Sequence, residues 1–245
     1  MIRFFFLLIF LGFTTTLVQA EGVLNANQQD EVRKLVRDTL LSNPEILVEA
    51  MNILQARQEQ ARNDQQQNAL SQLSSSMKGP ITPIGGNPDG DVTMIEFFDY
   101  QCGYCKKAFP GVMEVIKEDK NIHYIFKEFA ILGPESEIAA RVALAAQKQG
   151  KYMDFHVAMM TVRGRLNEDK ILKTAESLGI DMDQLKTDMQ SDEVNAEISS
   201  TREIAQRLGI TGTPAFIIGD KIIPGAVPPQ ALKDAVKEAR KKLEK

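Results

Sequence analysis

An α/β fold, preceded by a separate α-helical segment, is the fold class that the sequence predicts. Two apolar strand patterns, VTMIEFF and NIHYIFKEFAI, flank a helical pattern, so the main domain begins as strand, helix, strand. Helical patterns then fill the chain from Pro134 to about Leu208, before a strand hairpin and a last helix. Because this block is much longer than an ordinary connection between strands, we predict a helical domain, at about 134–208, inserted into the α/β fold.

The first twenty residues have the pattern of a signal peptide. Arg3 supplies a positive charge, an apolar run extends from Phe4 to Phe13, and the stretch ends at Ala20, a small residue suited to cleavage. The run is too short to cross a bilayer of about 30 Å as a helix. We therefore predict removal of residues 1–20 and export to the periplasm. Association with the outer membrane or the cell surface is the alternative.

Residues 21–78 differ in composition from the rest and predict a helical oligomerisation segment that runs into a linker. Two apolar stripes recur at helical spacing, and SNPEILVEAM supplies the cap and the first-turn proline of the second helix. The stripes comprise Val32, Leu35, Val36, Leu40, Leu47, Ala50, Met51 and Leu54. Two helices this small cannot bury a core alone. They must therefore pack on the main domain or on copies of themselves. We expect self-association through residues 24 to about 75, as a homodimer or a trimer, with a solvated spacer as a further alternative.

A linker rich in Ser, Gly and Pro, SSSMKGPITPIGGNPDGD, marks the boundary of the main domain, which we place at residues 79–245. Its hairpin pairs PAFIIG with KIIPGAV across Gly219 and Asp220. The chain has 33 acidic and 29 basic residues, a net charge of −4. This balance provides no extended basic surface, so nucleic acid is not a predicted partner.

Both cysteines of the chain, Cys102 and Cys105, lie in the stretch FFDYQCGYCKKAF. Exported proteins normally use cysteines as structural cross-links, but a cross-link this short joins almost nothing, so we predict redox chemistry. At the start of a helix, unpaired N–H groups and the helix dipole would lower the pKa of Cys102 into a range of roughly 3.5–7.5. Cys105, one turn further on, would resolve a mixed disulfide, with Gly103 and Tyr104 tuning the pair.

Other uses of the two thiols are weaker predictions. Haem attachment requires a histidine after the second cysteine, and Lys106 stands there. A zinc site would need further ligands, and His123 and His156 lack the spacing, so we predict no metal site and no cofactor beyond the redox-active disulfide. Three alternatives stay open: a local structural disulfide, a copper-binding protein that uses the thiols and some methionines, and a surface scaffold without redox turnover.

The two motifs IEFFDYQCGYCKKAFP and TGTPAF together resemble the thioredoxin superfamily, and within it the exported DsbA-type thiol-disulfide oxidoreductases. The resemblance covers about residues 85–245 and implies a thioredoxin fold with an inserted helical domain. It also implies that Pro214 follows a cis peptide bond and lies against the cysteine pair. Thr213 would then present its backbone to a substrate strand.

The resemblance implies more about the site and the assembly. Gly-Tyr between the cysteines and Thr before the proline are similar to disulfide isomerases of the DsbC type, which dimerise through an N-terminal segment. The chain is most similar to the ScsC group, which carries such a segment on a DsbA-like domain. Glu96 matches a buried acidic residue of the family, which would have a raised pKa and shuttle the proton of Cys105. Lys127 is a candidate partner for it, unless Lys127 or Glu128 points to solvent, because strand faces alternate.

The predicted function is therefore that of an enzyme, an exported thiol-disulfide oxidoreductase that forms or isomerises disulfide bonds in secreted proteins. The resemblance implies two kinds of partner. Cysteine-containing exported proteins would be the clients, and a membrane redox protein would reset the active site. Self-association would place several catalytic domains around a shared cleft, an arrangement expected to favour isomerisation.

Overall fold

The computed structural model of the protein describes residues 24–73 and 77–244. The predicted signal peptide, residues 1–20, lies outside the described residues. In the described part of the chain, no helix combines the length and the apolar character needed to cross a membrane. The chain divides into two compact units, Met1–Glu59 and Gln60–Lys245. This division falls earlier than residue 78, where the composition placed the end of the N-terminal segment.

The N-terminal helices are α1 (Ala26–Ser42) and α2 (Glu45–Leu73). The Asn25 side chain accepts a hydrogen bond from the Gln28 N–H, and the Gln28 side chain accepts one from the Asn25 N–H, which fixes the start of α1. None of the residues of α1 is buried. The apolar side chains of the first unit that stay exposed include Val32, Leu35, Val36, Leu47, Met51 and Leu54.

The second half of α2, although polar, stays helical because it packs on the main domain. Within the second unit, the Gln66 side chain donates a hydrogen bond to the Leu208 carbonyl and the Gln67 side chain donates one to the Asp220 carbonyl. Leu73, at the end of the helix, is 3% exposed. Side chain–backbone hydrogen bonds thus take the place of the apolar stripe that this stretch lacks.

The strands of the main domain form a mixed sheet with the order β1-β3-β2-β4-β5. Its strands are β1 (Ile84–Gly86), β2 (Val92–Phe98), β3 (Ile122–Glu128), β4 (Ala215–Ile218) and β5 (Lys221–Pro224). The central pair, β2 and β3, is parallel, and the other pairs are antiparallel. The sequence did not predict β1, because its Ile-Gly-Gly lies in a stretch whose glycines and prolines indicate a linker.

The helices that follow lie in the stretches for which the sequence patterns predicted helix, including the block from Pro134 to about Leu208. They are α3 (Gly103–Glu118), α4 (Pro134–Lys148), α5 (Tyr152–Thr161), α6 (Glu168–Ser177), α7 (Met182–Asp188), α8 (Asp192–Arg207) and α9 (Pro229–Leu243). The side chains of Asn167, Asp181 and Ser191 cap α6, α7 and α8 by accepting backbone N–H groups. Helices α4–α8 lie between β3 and β4 in the chain, so a helical insertion interrupts a thioredoxin-like fold.

Both faces of the central strands are covered, which makes every residue of β3 buried. On one face, Met94 and Phe98 of β2 join the core shared with α3, α5 and α9. On the other face, Ile95 and Phe97 join a second core with Leu208, which follows α8. The first face carries the functional site, since α3 begins at the cysteine pair.

The prediction that Lys127 pairs with Glu96 is wrong. Lys127 is fully buried on the second face, and its Nζ lies 2.8 Å from Oε1 of Glu197 on α8. Glu96 lies opposite Phe126 in the sheet register, and neighbouring residues of a strand point to opposite faces, so Lys127 and Glu96 are on different sides. The alternative that Lys127 or Glu128 points to solvent is also wrong, because Glu128 is 2% exposed.

Candidate active site

Cys102 is the N-cap residue of α3. Its extended backbone lets the sulfur accept a hydrogen bond from the Cys105 N–H, with an Sγ–N distance of 3.3 Å. Cys102 retains 5% exposure, whereas Cys105 is fully buried, and the two thiols are free. An added Cβ at Gly103 would meet no atom within 4 Å, and Tyr104 is largely exposed, so the residues between the cysteines leave the site open.

The two thiols differ in acidity because their surroundings differ. The Cys105 thiol, followed by the Thr213 side chain and the N–H groups of Cys105 and Tyr104, lowers the pKa of Cys102 to about 6 against the opposing effect of burial. Burial, reinforced by the Cys102 sulfur, raises the pKa of Cys105 far above its ordinary value. Near neutral pH, the Cys102 sulfur is therefore mostly ionised, whereas Cys105 is a protonated thiol.

The loop before β4 brings the second motif to the cysteines. The Thr213–Pro214 peptide bond is cis, as the resemblance implied. The Cys102 thiol donates to the Thr213 carbonyl, with an Sγ–O distance of 3.2 Å. The Thr213 carbonyl, next to the cis bond to Pro214, therefore lies against the Cys102 sulfur.

Glu96 lies on the same face of the sheet as the active-site helix and is 2% exposed. Burial raises its pKa to about 7; the hydrogen bond from Tyr124 opposes this shift, and the charge of Cys102 adds to it. The charge of Glu96 in turn helps to raise the pKa of Cys105. The carboxyl group is thus electrostatically coupled to both thiols and is about half protonated at pH 7.

The sequence reasoning missed Tyr124, the hydrogen-bond donor to Glu96. Tyr124 lies on β3, two residues before Phe126, the register partner of Glu96. The two side chains meet diagonally on the same face of the sheet, a relation that long side chains can bridge. The sequence does show a tyrosine in the neighbouring strand. Recognising it as the hydrogen-bond donor to Glu96 would have required the parallel register of β2 and β3.

Asp99, to which the sequence assigned no role, fixes the loop that carries Cys102. It is 1% exposed, and its carboxylate accepts hydrogen bonds from the N–H groups of Gln101, Ile131 and Leu132 and from the Ser136 hydroxyl. Its carbonyl accepts the Cys102 N–H. Asp99 thus joins the active-site loop to the loop between β3 and α4.

A second buried polar cluster lies beneath the site. Glu128 accepts hydrogen bonds from Tyr100 and Tyr152 at 3.0 and 2.8 Å, and the Tyr100 oxygen is 3.0 Å from Nδ1 of His156. Burial raises the pKa of Glu128 well above its usual value. Burial also lowers the pKa of His156 to about 3, so its imidazole is neutral at pH 7. Within residues 24–73 and 77–244, no group of three or more acidic, His or Cys side chains could hold a metal ion.

Comparison with known protein families gives two matches. Residues 93–237 match the family of DSBA-like thioredoxin domains. Residues 28–61 match the family described as the copper resistance protein ScsC N-terminal domain. The two matches fall on the thioredoxin-like domain with its insertion and on α1 with the first part of α2.

Solved structures and curated proteins resemble the same two parts. A thioredoxin-like oxidoreductase from Silicibacter pomeroyi is 45% identical with a TM-score of 0.66, and the match covers 67% of this chain and 95% of that one. ScsC from Proteus mirabilis, in a transitional conformation, is 32% identical with a TM-score of 0.66 over 89% of this chain and 100% of that one. The Na(+)/H(+) antiporter NhaA 1 of Salinispora arenicola is 27% identical over 94% of this chain. The chain spans 36% of that antiporter's length.

Proposed function

The chain belongs to the family of DSBA-like thioredoxin domains, and from this we propose that it is an exported thiol-disulfide oxidoreductase acting through Cys102 and Cys105. The observation that carries the proposal is the asymmetry of the pair. The pKa of Cys102 is lowered to about 6, whereas burial raises that of Cys105. At pH 7 a thiol with a pKa near 6 is about 90% ionised, so the attacking sulfur is ready without a separate base.

In the oxidising direction, a client thiolate attacks Sγ of Cys102 in the Cys102–Cys105 disulfide. A client–Cys102 bond forms, the bond to Cys105 breaks, and Cys105 leaves as a thiolate that takes the proton of Glu96. A second client thiolate attacks the client sulfur and releases Cys102 as a stabilised thiolate. The client thereby loses two electrons to the cysteine pair.

The Thr213 carbonyl, 3.2 Å from Sγ of Cys102, supports a role in holding the client. An extended client segment would lie along Thr213 and Pro214 in the manner of an added β-strand. Tyr104 would border this segment, since its side chain is 68% exposed beside the site. In this proposal Thr213 and Pro214 orient the client sulfur, and Glu96 transfers the proton.

Two variants test the chemistry. Cys105→Ser keeps the nucleophile but removes the resolving thiol, so it should accumulate mixed disulfides with exported proteins. Cys102→Ser should form none, because the remaining thiol is buried. Non-reducing electrophoresis after acid trapping measures both. Equal amounts of adduct in the two variants would contradict the assignment of Cys102 as the nucleophile.

Isomerisation is a second candidate activity, favoured by the exposed apolar side chains of α1 and α2. Leu35 and Met51 are 66% and 70% exposed, and a solvated spacer would not require apolar side chains at such positions. Self-association through these helices would place several Cys102 thiolates around one client. Thiol trapping in cells separates the two activities: a mostly disulfide form indicates an oxidant that a membrane redox partner resets, and a mostly dithiol form indicates an isomerase.

The alternative of a copper carrier gains little from the N-terminal match. Residues 28–61 contain neither cysteine nor histidine, so this segment offers none of the soft thiol or imidazole ligands that copper prefers. In the alternative that the sequence left open, Cys102 and Cys105 would bind copper together with some of the methionines. Copper titration of the reduced protein and of Cys102→Ser would test that use directly. Periplasmic location follows from the signal-peptide pattern and is proposed on that basis.

A further inference from the structure

A groove of about 810 Å³ lies beside Cys102, on the side of the helical insertion. We call it the insertion groove; its walls come from the start of α3, the loop between β3 and α4, and the loop between α5 and α6. Its lining includes Gln101, Gly103, Lys106, Leu132, Arg163 and Arg165. Because Gln101 and Gly103 flank Cys102 in the chain, any polypeptide joined to that sulfur passes near this groove.

Positive charge is concentrated here, although the chain as a whole carries −4. Arg163 and Arg165 are exposed, and within residues 77–244 neither guanidinium has a hydrogen-bond or ion-pair partner. Among the described residues that line the groove, Glu135 is the only carboxylate. The two guanidinium groups are therefore available to a ligand.

Two lysines hold the loop that carries these arginines. Lys106 on α3 donates to the Val162 carbonyl at 3.0 Å, and Lys170 on α6 donates to the Arg163 carbonyl at 2.6 Å. Both ammonium groups are thereby kept close to the groove and add to its positive potential. The backbone of the loop is tied to the active-site helix, so the arginines are presented at a fixed place beside Cys102.

We propose that the insertion groove binds an acidic segment of the polypeptide whose cysteine reacts with Cys102. This inference rests on the proposed oxidoreductase function and adds a charge preference to it. Guanidinium groups bind carboxylates through paired N–H donors, which gives orientation as well as affinity. A positive groove beside the nucleophile also raises the rate of encounter with acidic partners at low salt.

The test uses the oxidised full chain and three synthetic peptides, each with one cysteine flanked by Glu, Gln or Lys residues. Stopped-flow measurement follows reduction of the Cys102–Cys105 disulfide, in which two peptide thiols become one disulfide. Each rate is divided by the rate of the same peptide with a small uncharged disulfide, because flanking charge alters thiol acidity. The acidic peptide should react about five- to twenty-fold faster than the neutral one. This ratio should fall towards one in 1 M salt, where the Debye length is about 3 Å.

Charge reversal locates the effect. Arg163→Glu with Arg165→Glu should abolish the acidic preference or invert it in favour of the Lys peptide. The matched control is Lys117→Glu with Lys120→Glu, which makes the same change of charge on exposed positions at and just beyond the far end of α3, about 16 Å or more along the helix from Lys106. The control should keep the preference within about twofold, since screening weakens exposed charges beyond about 10 Å.

The outcomes separate the two proposals. Reaction with all peptides but no charge preference, or an equal loss of preference in both double variants, overturns the groove and leaves the oxidoreductase in place. Retention of the preference for the acidic peptide after charge reversal at both arginines also overturns the groove proposal. Absence of reaction with every peptide overturns the oxidoreductase, and the groove proposal falls with it.

Discussion

At the scale of single residues, Cys102 and Glu96 oppose each other electrostatically. The charge of Cys102 helps to raise the pKa of Glu96 to about 7, so the carboxyl tends to keep its proton while the sulfur is ionised. That proton is then available when Cys105, buried and only weakly acidic, must leave or attack. At one pH, Cys102 tends to carry the negative charge and Glu96 tends to carry the proton. This division suits repeated exchange of thiols and disulfides.

The Cys105 side chain is the largest single cause of the acidity of Cys102. Cys105→Ala removes this donor, so the pKa of Cys102 should rise above 6 towards the ordinary value for cysteine, about 8.5. Cys105→Ser keeps a hydroxyl donor at the same place and should hold the pKa lower than the alanine variant does. Thiolate absorbance against pH measures both.

The two variants share the same buried position and differ only in the donor. A higher pKa in Cys105→Ser than in Cys105→Ala would contradict the assignment. Equal values in the two would show that the backbone N–H groups at the start of α3 stabilise the thiolate by themselves.

Glu96 should make stability depend on pH. An unfolded glutamate titrates near 4.5, and folded Glu96 titrates near 7. Between these values the folded protein keeps a proton that the unfolded chain has lost, so this group destabilises the fold increasingly as pH rises from 4.5 to 7. The shift of about 2.5 pH units corresponds to at most about 3 kcal/mol.

Glu96→Gln removes that titration but keeps an acceptor for Tyr124. The free energy of unfolding of the variant, relative to the native sequence, should therefore increase by up to about 3 kcal/mol between pH 4 and pH 8. Urea denaturation of the reduced protein at both pH values measures the difference. Exposed Glu203→Gln is the control. A difference that stays constant with pH, or falls, would refute the raised pKa.

The residue-level predictions succeeded where one motif contained the information. The positions of Cys102 and Cys105 at the start of a helix and the lowered pKa of Cys102 follow from one short stretch of sequence. The cis bond before Pro214 was implied by the family resemblance of two such stretches. Tyr124 and Asp99 could not be found in this way. Their partners are fixed by strand register and by the contact between two loops, which a single sequence does not display.

At the scale of elements, a buried ion pair joins the sheet to the helical insertion. Lys127 of β3 and Glu197 of α8 are both almost inaccessible to solvent. The Thr82 hydroxyl donates to Oε2 of Glu197 and accepts the Gly79 N–H, so the segment before β1 is tied to the same carboxylate. An added Cβ at Gly79 would lie 2.6 Å from that oxygen, which explains the glycine.

Glu197→Gln should destabilise the protein by about 3–5 kcal/mol, because it leaves the buried ammonium of Lys127 without a charged partner. The matched control is Glu193→Gln on the same helix, which breaks the partly exposed pair with Lys148 and should change stability by at most about 1 kcal/mol. Urea denaturation at pH 7 measures both.

The double variant Lys127→Met with Glu197→Leu separates charge from packing. It should recover most of the stability lost in Glu197→Gln, since replacing both partners leaves no unpaired charge. Should Glu197→Gln cost no more than Glu193→Gln, the buried pair would not be what joins β3 to α8.

The helices and the strands β2, β3, β4 and β5 were predictable because apolar spacing records them directly. The environment of β3 was not, because His123, Lys127 and Glu128 are all buried and interrupt the alternation that distinguishes an inner face from an outer one. Lys127 pairs with Glu197 of α8, Glu128 accepts hydrogen bonds from Tyr100 and Tyr152, and Nδ1 of His123 lies 2.6 Å from the Pro88 carbonyl oxygen. Those partners come from distant parts of the chain.

At the scale of the whole molecule, the proposed self-association would link the exposed apolar stripe of α1 and α2 to the choice between oxidation and isomerisation. Leu47 and Met51 are 53% and 70% exposed in the single chain. Burying such a side chain fully stabilises an interface by about 1.5–3 kcal/mol. We expect the stripe to be covered by copies of the same segment, which would bring several active sites to one client.

Leu47→Glu with Met51→Glu should convert the full chain into a monomer in sedimentation velocity, because carboxylates would have to be buried at the interface. Asn52→Glu with Gln58→Glu adds the same charge to polar positions of α2 and should leave the assembly intact. Oxidation of a single-disulfide peptide needs one Cys102–Cys105 pair, so the monomer should retain its rate within about twofold. Reshuffling of a scrambled multi-disulfide protein should fall at least about tenfold if it depends on several sites held together.

A monomer that reshuffles at the full rate would separate isomerisation from assembly and leave the stripe without a catalytic role. A variant that stays oligomeric would place the interface elsewhere in the chain. Loss of peptide oxidation in the monomer would mean instead that assembly shapes the active site itself. Since Leu47 and Met51 lie in the first unit and the cysteines in the second, the expected result is that each active site works alone and that only reshuffling requires the assembly.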